Sequence, residues 1–247
     1  LSFEKYFWGD IDLNGKTILD VAAGKGATTV KILEKMVFQK ANGTVIAVEI
    51  LRNSLKLAKE NITRLPYKIP VMFIMADSAY LPLRAECVDL VFSNRAIADM
   101  NSPPCRIVRI LAELRRVLRR GGKVVLSDEC PFVKRPEGNE MASWRWKIAK
   151  AISHLIGREH AHEVDPKDLE FIMKLIGFKE VQSRTFKGEP LTPRRMQRFI
   201  QNSLDLIGSI DDLELRRALL RSVKKAQRKF RGKYGLSPPR YVLQARK

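Results

Sequence analysis

The sequence predicts an α/β fold: a doubly wound, mainly parallel seven-stranded sheet with a basic helical insertion before its last strand. Three observations carry this. Short apolar runs alternate with helix-length segments five times over. The first run, TILDV, opens into a glycine-containing turn. The runs end on polar or acidic residues, on the side where an open sheet of this kind binds its ligand.

The chain opens with Phe3, Tyr6, Phe7 and Trp8 at helical spacing, a packing arm before the Asn14-Gly15 turn. Thr17–Thr29, TILDVAAGKGATT, then reads as strand, turn and helix. Gly24 and Gly26 leave no Cβ between backbone and ligand, and a helix over about Ala27–Phe38 points its first N–H groups the same way. Asp20 closes the strand with an acid. A Gly-x-Gly turn also occurs in dinucleotide-binding folds and in plain strand–helix connections, so the later strands decide its meaning.

Asn42-Gly43 turns the chain into TVIAVEI, a continuous apolar run suited to a strand covered on both faces. Glu49 ends it, at the place where an acid accepts ribose hydroxyls in such folds. A helix around Asn53–Leu65 leads to a third buried strand, Val71–Ala76, which ends in Asp77-Ser78. Val88–Phe92 is the fourth, ending in Ser93-Asn94. A helix over about Arg106–Arg119 is expected to stop at Gly121-Gly122 through a left-handed cap. KVVLS is the fifth strand, followed by Asp128-Glu129-Cys130.

Gly138–Arg158 reads as an extra helix whose stripe of Met141, Trp144, Ile148, Ala151 and Leu155 is explained most simply by core packing, with a substrate lid as the functional alternative. Asp165-Pro166 caps the next helix, which ends at Gly177-Phe178. Phe178–Phe186 is the sixth strand and Arg240–Ala245 the last. Between them, Thr192-Pro193 and Asp211 start two helices. The expected organisation is therefore a sheet domain over 1–186, an insertion over 187–236 and a returning strand over 237–247.

Charge points to a partner. Lysine and arginine number 46 against 27 acids, a net charge of +19, far more than solubility needs. Residues 187–247 hold 16 of these bases and 5 acids, so +11 of the excess lies in the last quarter. Leu219, Val223, Ala226 and Phe230 make one apolar face of the second insertion helix. Arg216, Arg217, Lys224, Lys225, Arg228 and Lys229 surround it. Such a run is usually a solvated face, but this density with so few acids favours phosphate contact. Three cysteines without a CxxC pair, and no secretory leader, suggest a reducing, cytoplasmic setting. No apolar run approaches the roughly 20 residues needed to span a bilayer. His160 and His162 have no further ligands nearby, so no metal is expected.

DVAAGKG, the acid of VIAVEI, the MADS of the third strand and LRRVLRRGGKVVLSD together resemble the class I S-adenosylmethionine-dependent methyltransferases, which have a Rossmann-like sheet. The resemblance covers roughly residues 15–185 plus the last strand and is closest to the quinone-methyltransferase-like group. Ala22 stands where the family usually has its first glycine. The resemblance implies that Asp20 and the turn holding Ala22, Gly24 and Gly26 bind the methionine end of S-adenosyl-L-methionine. Glu49 would accept the ribose hydroxyls, Ile50 would cover the adenine, and Asp77 with the Ser78 backbone would read its amino edge. Ser93 and Asn94 would lie beside the methyl group, with Asn94 orienting the acceptor and Glu129 placed to touch it. With the basic insertion, this leads to the expectation of a methyltransferase acting on structured RNA, ribosomal or transfer, for instance on an exocyclic amine such as N4 of cytidine. Two alternatives stand beside it: a methyltransferase of a quinone or other small molecule at a membrane surface, and a catalytically silent RNA-binding assembly factor.

Overall fold

The structure is a computed structural model that describes residues 2–130, 140–157, 161–230, 232 and 235–247. Gly138, Arg158 and His160 of the sequence reading lie outside the described residues. The chain divides into two compact units. The first joins residues 1–129, 161–186 and 241–247; the second joins 130–160 with 187–240.

The first unit holds a seven-stranded sheet of order β3-β2-β1-β4-β5-β7-β6. Its strands are β1 (Lys16–Val21), β2 (Gly43–Glu49), β3 (Val71–Met75), β4 (Val88–Asn94), β5 (Leu118–Glu129), β6 (Lys179–Phe186) and β7 (Arg240–Arg246). The first five pair in parallel, and β7 runs antiparallel. Strand order reverses between β1 and β4, and a crevice opens at such a reversal, outside the carboxyl ends of the strands. Register brings those ends level: Val21 faces Val48, Glu49 faces Met75, and Asn94 faces Ser127.

The helices of this unit are α1 (Phe3–Trp8), α2 (Ala27–Gln39), α3 (Arg52–Thr63), α4 (Ile97–Met100), α5 (Arg106–Val117) and α7 (Pro166–Leu175). Asp165 caps α7 by accepting the Lys167 N–H, with proline at the first helical position. The aromatic arm is α1. Phe7 and Trp8 enter the main core with Ile18, Ile32, Val45 and Phe92, the Phe7 ring lying 5.8 Å from that of Phe92.

Two local expectations are corrected. Strand β3 is not buried: Met72 and Met75 are 53% and 60% exposed, because β3 is the sheet edge and has a neighbour on one side only. Nor does the glycine pair cap a helix. α5 ends at Val117 and the chain passes directly into β5, whose pairing with β4 shifts register between Val88 and Leu90. Gly121 takes φ +74°, and a Cβ on Gly122 would lie 2.9 Å from the Arg119 carbonyl oxygen and 3.0 Å from that of Asp89. The glycines serve this irregularity within the strand.

The second unit contains α6 (Glu140–Leu155), α8 (Pro193–Gly208) and α9 (Leu213–Lys229). Thr192 caps α8, and Asp212, one residue past the expected start, caps α9 by accepting the N–H groups of Glu214 and Leu215. Ile148 and Ile152 of α6 pack with Ile207 and Val223, while Met141 and Ala142 pack with Leu191 and Met196. Met141 and Ile148 of the expected stripe are therefore core within this unit and Trp144 is half-buried, whereas Ala151 and Leu155 are exposed.

Candidate active site

At the carboxyl ends of β1, β2 and β4 lies a cleft of about 670 Å3. Ala22, Gly24, Glu49, Ile50, Asp77, Ser78 and Asn94, all expected from the sequence, line it. Each is positioned by a strand end or by the turn that follows one. Gly24 sits at φ +56°, and a Cβ added there would meet no protein atom within 4 Å, so its backbone borders open space. Gly26 has a different job. At φ +86° it begins α2, and a Cβ there would lie 3.2 Å from the Ala58 backbone, so its missing side chain lets α2 approach α3. Ala22 takes φ +55°, a left-handed conformation that favours glycine.

Glu49 is the best-fixed acid in the cleft. One carboxylate oxygen accepts the Gly24 N–H and the other the Leu51 N–H, both at 2.8 Å. The two bonds tie the β1–α2 turn to the end of β2, and each oxygen keeps a further lone pair for another donor. Asp77 is held by the Ala79 N–H at 2.9 Å and by an ion pair with Arg106. Arg106 lines the cleft at the start of α5. Sequence reading missed it because its partner lies 29 positions away.

Asp20 and Ser93 do not line the cleft. Asp20 is 1% exposed and its Oδ2 accepts the Thr29 hydroxyl at 2.5 Å. Burial pushes its carboxyl up to about 7; the Thr29 hydrogen bonds work against the rise and the nearby Glu49 charge adds to it. Its Oδ1 is buried without a hydrogen-bond partner among the described residues. The Ser93 hydroxyl is likewise fully buried.

The other end of the cleft is built from Asn94, Arg95, Ala96, Asp99 and Met100. The Asn94 amide oxygen accepts the Ser127 hydroxyl at 2.7 Å, a bond across β4 and β5 that holds the side chain and takes one of the two lone pairs of its oxygen. Glu129 is not in the cleft wall; it pairs with Arg95 at 2.8 Å. Asp128 beside it is buried, and burial pushes its carboxyl up to about 6 against the N–H groups of Ala98 and Glu129 that it accepts. Arg95, Asp99 and Met100 were missed from sequence. The one signal for them is position, since they follow the polar end of β4 where loops of such sheets bear on ligands.

The family described as "Methyltransferase domain" matches residues 12–175, about two thirds of the chain. The chain belongs to this methyltransferase family. Over 186 residues it is 25% identical to the ubiquinone/menaquinone biosynthesis C-methyltransferase UbiE of Acidiphilium cryptum, covering 70% of each chain. It is 29% identical over 114 residues to the methyltransferase GfsG of Streptomyces halstedii, spanning 46% of this chain and 38% of that one. Among solved structures it is similar to phosphoethanolamine N-methyltransferase 2 of Haemonchus contortus, with a TM-score of 0.59 and 17% identity, over 99% of this chain and 51% of that one. The chain thus spans little more than a third of GfsG and about half of the Haemonchus enzyme.

S-adenosyl-L-methionine is the methyl donor that the sequence resemblance implies for such a domain, and the residues present fit it. The Gly24 backbone borders open space, Glu49 faces the cleft with lone pairs to spare, and Asp77 and Ile50 line it from the next strand ends. Glu49 would hold the ribose hydroxyls, with Asp77 and Ile50 at the adenine. The basic residues expected to bind RNA lie on α9 in the second unit. Arg217, Lys224, Lys225, Arg228 and Lys229 are exposed, whereas Arg216 donates through Nε to the Ile210 carbonyl at 2.7 Å and holds the approach to the helix. No helix among the described residues is long and apolar enough to cross a membrane.

Proposed function

We propose that the chain transfers the methyl group of S-adenosyl-L-methionine to a small organic acceptor bound in the cleft. The observation that carries this is the cleft itself. Its volume of about 670 Å3 lies within the roughly 300–1,000 Å3 typical of small-molecule sites, and past Asn94 it continues to Arg95, Ala96, Asp99 and Met100, polar and apolar side chains together. The names of the quinone-biosynthesis and phosphoethanolamine methyltransferases point the same way. The sulfonium methyl is itself a strong electrophile. What remains for the protein is to align the acceptor and exclude water. Glu49 and the Gly24 turn fix one end of the cleft, and Arg95 and Asp99 offer charge of both signs to a hydroxyl or amine at the other.

A second reading, transfer to structured RNA, is favoured by the exposed basic face of α9. Labelled cofactor separates the two. Incubated with quinols, small amines and total RNA in parallel, the protein should label a small molecule. Label recovered only in RNA nucleosides would replace the first reading by the second. In that case, changing Arg217, Lys224, Arg228 and Lys229 to Gln should lower the slope of log K against log salt for RNA binding by roughly 0.7 to 0.9 for each phosphate no longer neutralised.

A further inference from the structure

A groove between α6 and α9 in the second unit shares no residue with the cleft. Both helices pack on α8, and between them they leave a space of about 370 Å3. Its floor is apolar: Ala226 of α9 is buried, and Trp144 of α6 and Phe230 just after α9 are half-buried. Its rim is cationic. Lys147 lies one turn beyond Trp144, and Lys225 and Lys229 lie one turn apart on α9; all three are exposed and line the groove. The Lys229 ammonium stands 5.3 Å from the centre of the Phe230 ring.

Core packing accounts for apolar residues at 144, 226 and 230, but it places no demand for lysine at 147, 225 and 229. Three lysines and a single carboxylate, Glu140, line this small groove, an excess of positive charge that a bound anion relieves. Glu140 at the groove sets a limit on what that anion is. A chain of phosphates running through would meet its carboxylate, while a single anionic head among the lysines need not.

We propose that the groove is a ligand site for a small organic anion, a phosphate or carboxylate joined to a flat aromatic body. The ring lies against Trp144 and Phe230, and the anionic head sits among Lys147, Lys225 and Lys229. The assignment is independent of the methyl acceptor.

Phenyl phosphate is the probe, titrated calorimetrically into the full chain at low ionic strength with S-adenosyl-L-methionine present to fill the cleft. Saturable one-to-one binding is expected, weaker for inorganic phosphate and for phenol, and reduced about tenfold in K225Q/K229Q as two ion pairs are removed. Lys147→Gln, on the opposite helix, should weaken it as well, and thermal melts of both variants report that they fold. Benzoate in place of phenyl phosphate tells whether a carboxylate head is accepted. No saturable binding of either probe, or unchanged affinity in both variants, overturns the assignment. So does a single-stranded oligonucleotide that binds in a lysine-dependent way where phenyl phosphate does not, since the groove would then be a nucleic-acid surface.

Discussion

The strand ends of the first unit and the basic helix of the second hold their charge in opposite ways. Glu49 carries a backbone N–H on each oxygen, Asp77 has Arg106 and the Ala79 N–H, and Asp128 accepts two N–H groups. On α9, five of the six basic residues of interest are exposed, and Arg216 alone among them hydrogen-bonds the backbone. A carboxylate with a defined partner fixes the shape of a turn. An exposed ammonium changes only the field around it. The difference predicts that substitutions at the strand ends change folding and cofactor binding, while those at the exposed basic positions of α9 change neither.

The largest effect is expected at Asp20, where burial pushes the carboxyl up to about 7, with Asp128 at about 6 in the same sense. Between about pH 4, where a free aspartate releases its proton, and pH 7, the folded chain holds protons that the unfolded chain has released. Stability therefore falls as pH rises through that window. Asp20→Asn removes one such group and should flatten the fall by a few kcal/mol. Urea unfolding at pH 4.5 and pH 8 measures it; the same pH dependence in wild type and variant would show that Asp20 is charged when folded.

Next comes Glu49→Ala, which strands the N–H groups of Gly24 and Leu51 together with the donors of a bound ribose. Cofactor affinity should drop by about 1–3 kcal/mol, read by calorimetry. Glu49→Gln keeps one acceptor oxygen and should lose less. An Ala variant that binds as wild type would remove Glu49 from the cofactor site and with it the best-ordered acid on this side of the comparison.

These acids also show what was legible in sequence. An apolar run closing on an acid marks a strand end by itself, so Glu49 and Asp77 were found at once, and register then brought them to one cleft. What could not be read depended on neighbours distant in the chain. Arg106 meets Asp77 from 29 positions away, and Ser127 takes the Asn94 oxygen from 33. The exposure of β3 follows from strand order, and the Gly121-Gly122 irregularity from the residues of β4 opposite it. Local pattern carries no trace of either. Asp20 illustrates the intermediate case: its place on β1 was plain, but a buried acid and a ligand-facing acid look alike until the packing around them is known.

Ala22→Gly is a smaller test. At φ +55° the alanine Cβ crowds its own backbone, at a cost of roughly 1–2 kcal/mol, against which glycine gives back part through a freer unfolded chain. A net gain of about 0.5–1 kcal/mol is expected, raising Tm by about 2 °C for a chain of this size. An unchanged or lower Tm would mean that the alanine methyl contributes packing at the cleft that outweighs its strain.

The smallest effect is expected on α9, and it sharpens the comparison most. Lys224 and Arg228 are exposed and do not line the groove against α6, so the double change to Gln should leave stability within about 0.5 kcal/mol. Arg216 is six residues beyond Ile210, whose carbonyl oxygen accepts its guanidinium, and Arg216→Gln gives up that bond at about 1 kcal/mol. The two variants remove positive charge from the same helix, so general electrostatics would rank the double variant as the larger perturbation. Partnering ranks it as the smaller. Thermal melts at low and high salt decide between them: a loss in K224Q/R228Q that exceeds the loss in R216Q, and that shrinks with salt, would show that α9 is held by its field and that the contrast with the strand ends is one of degree.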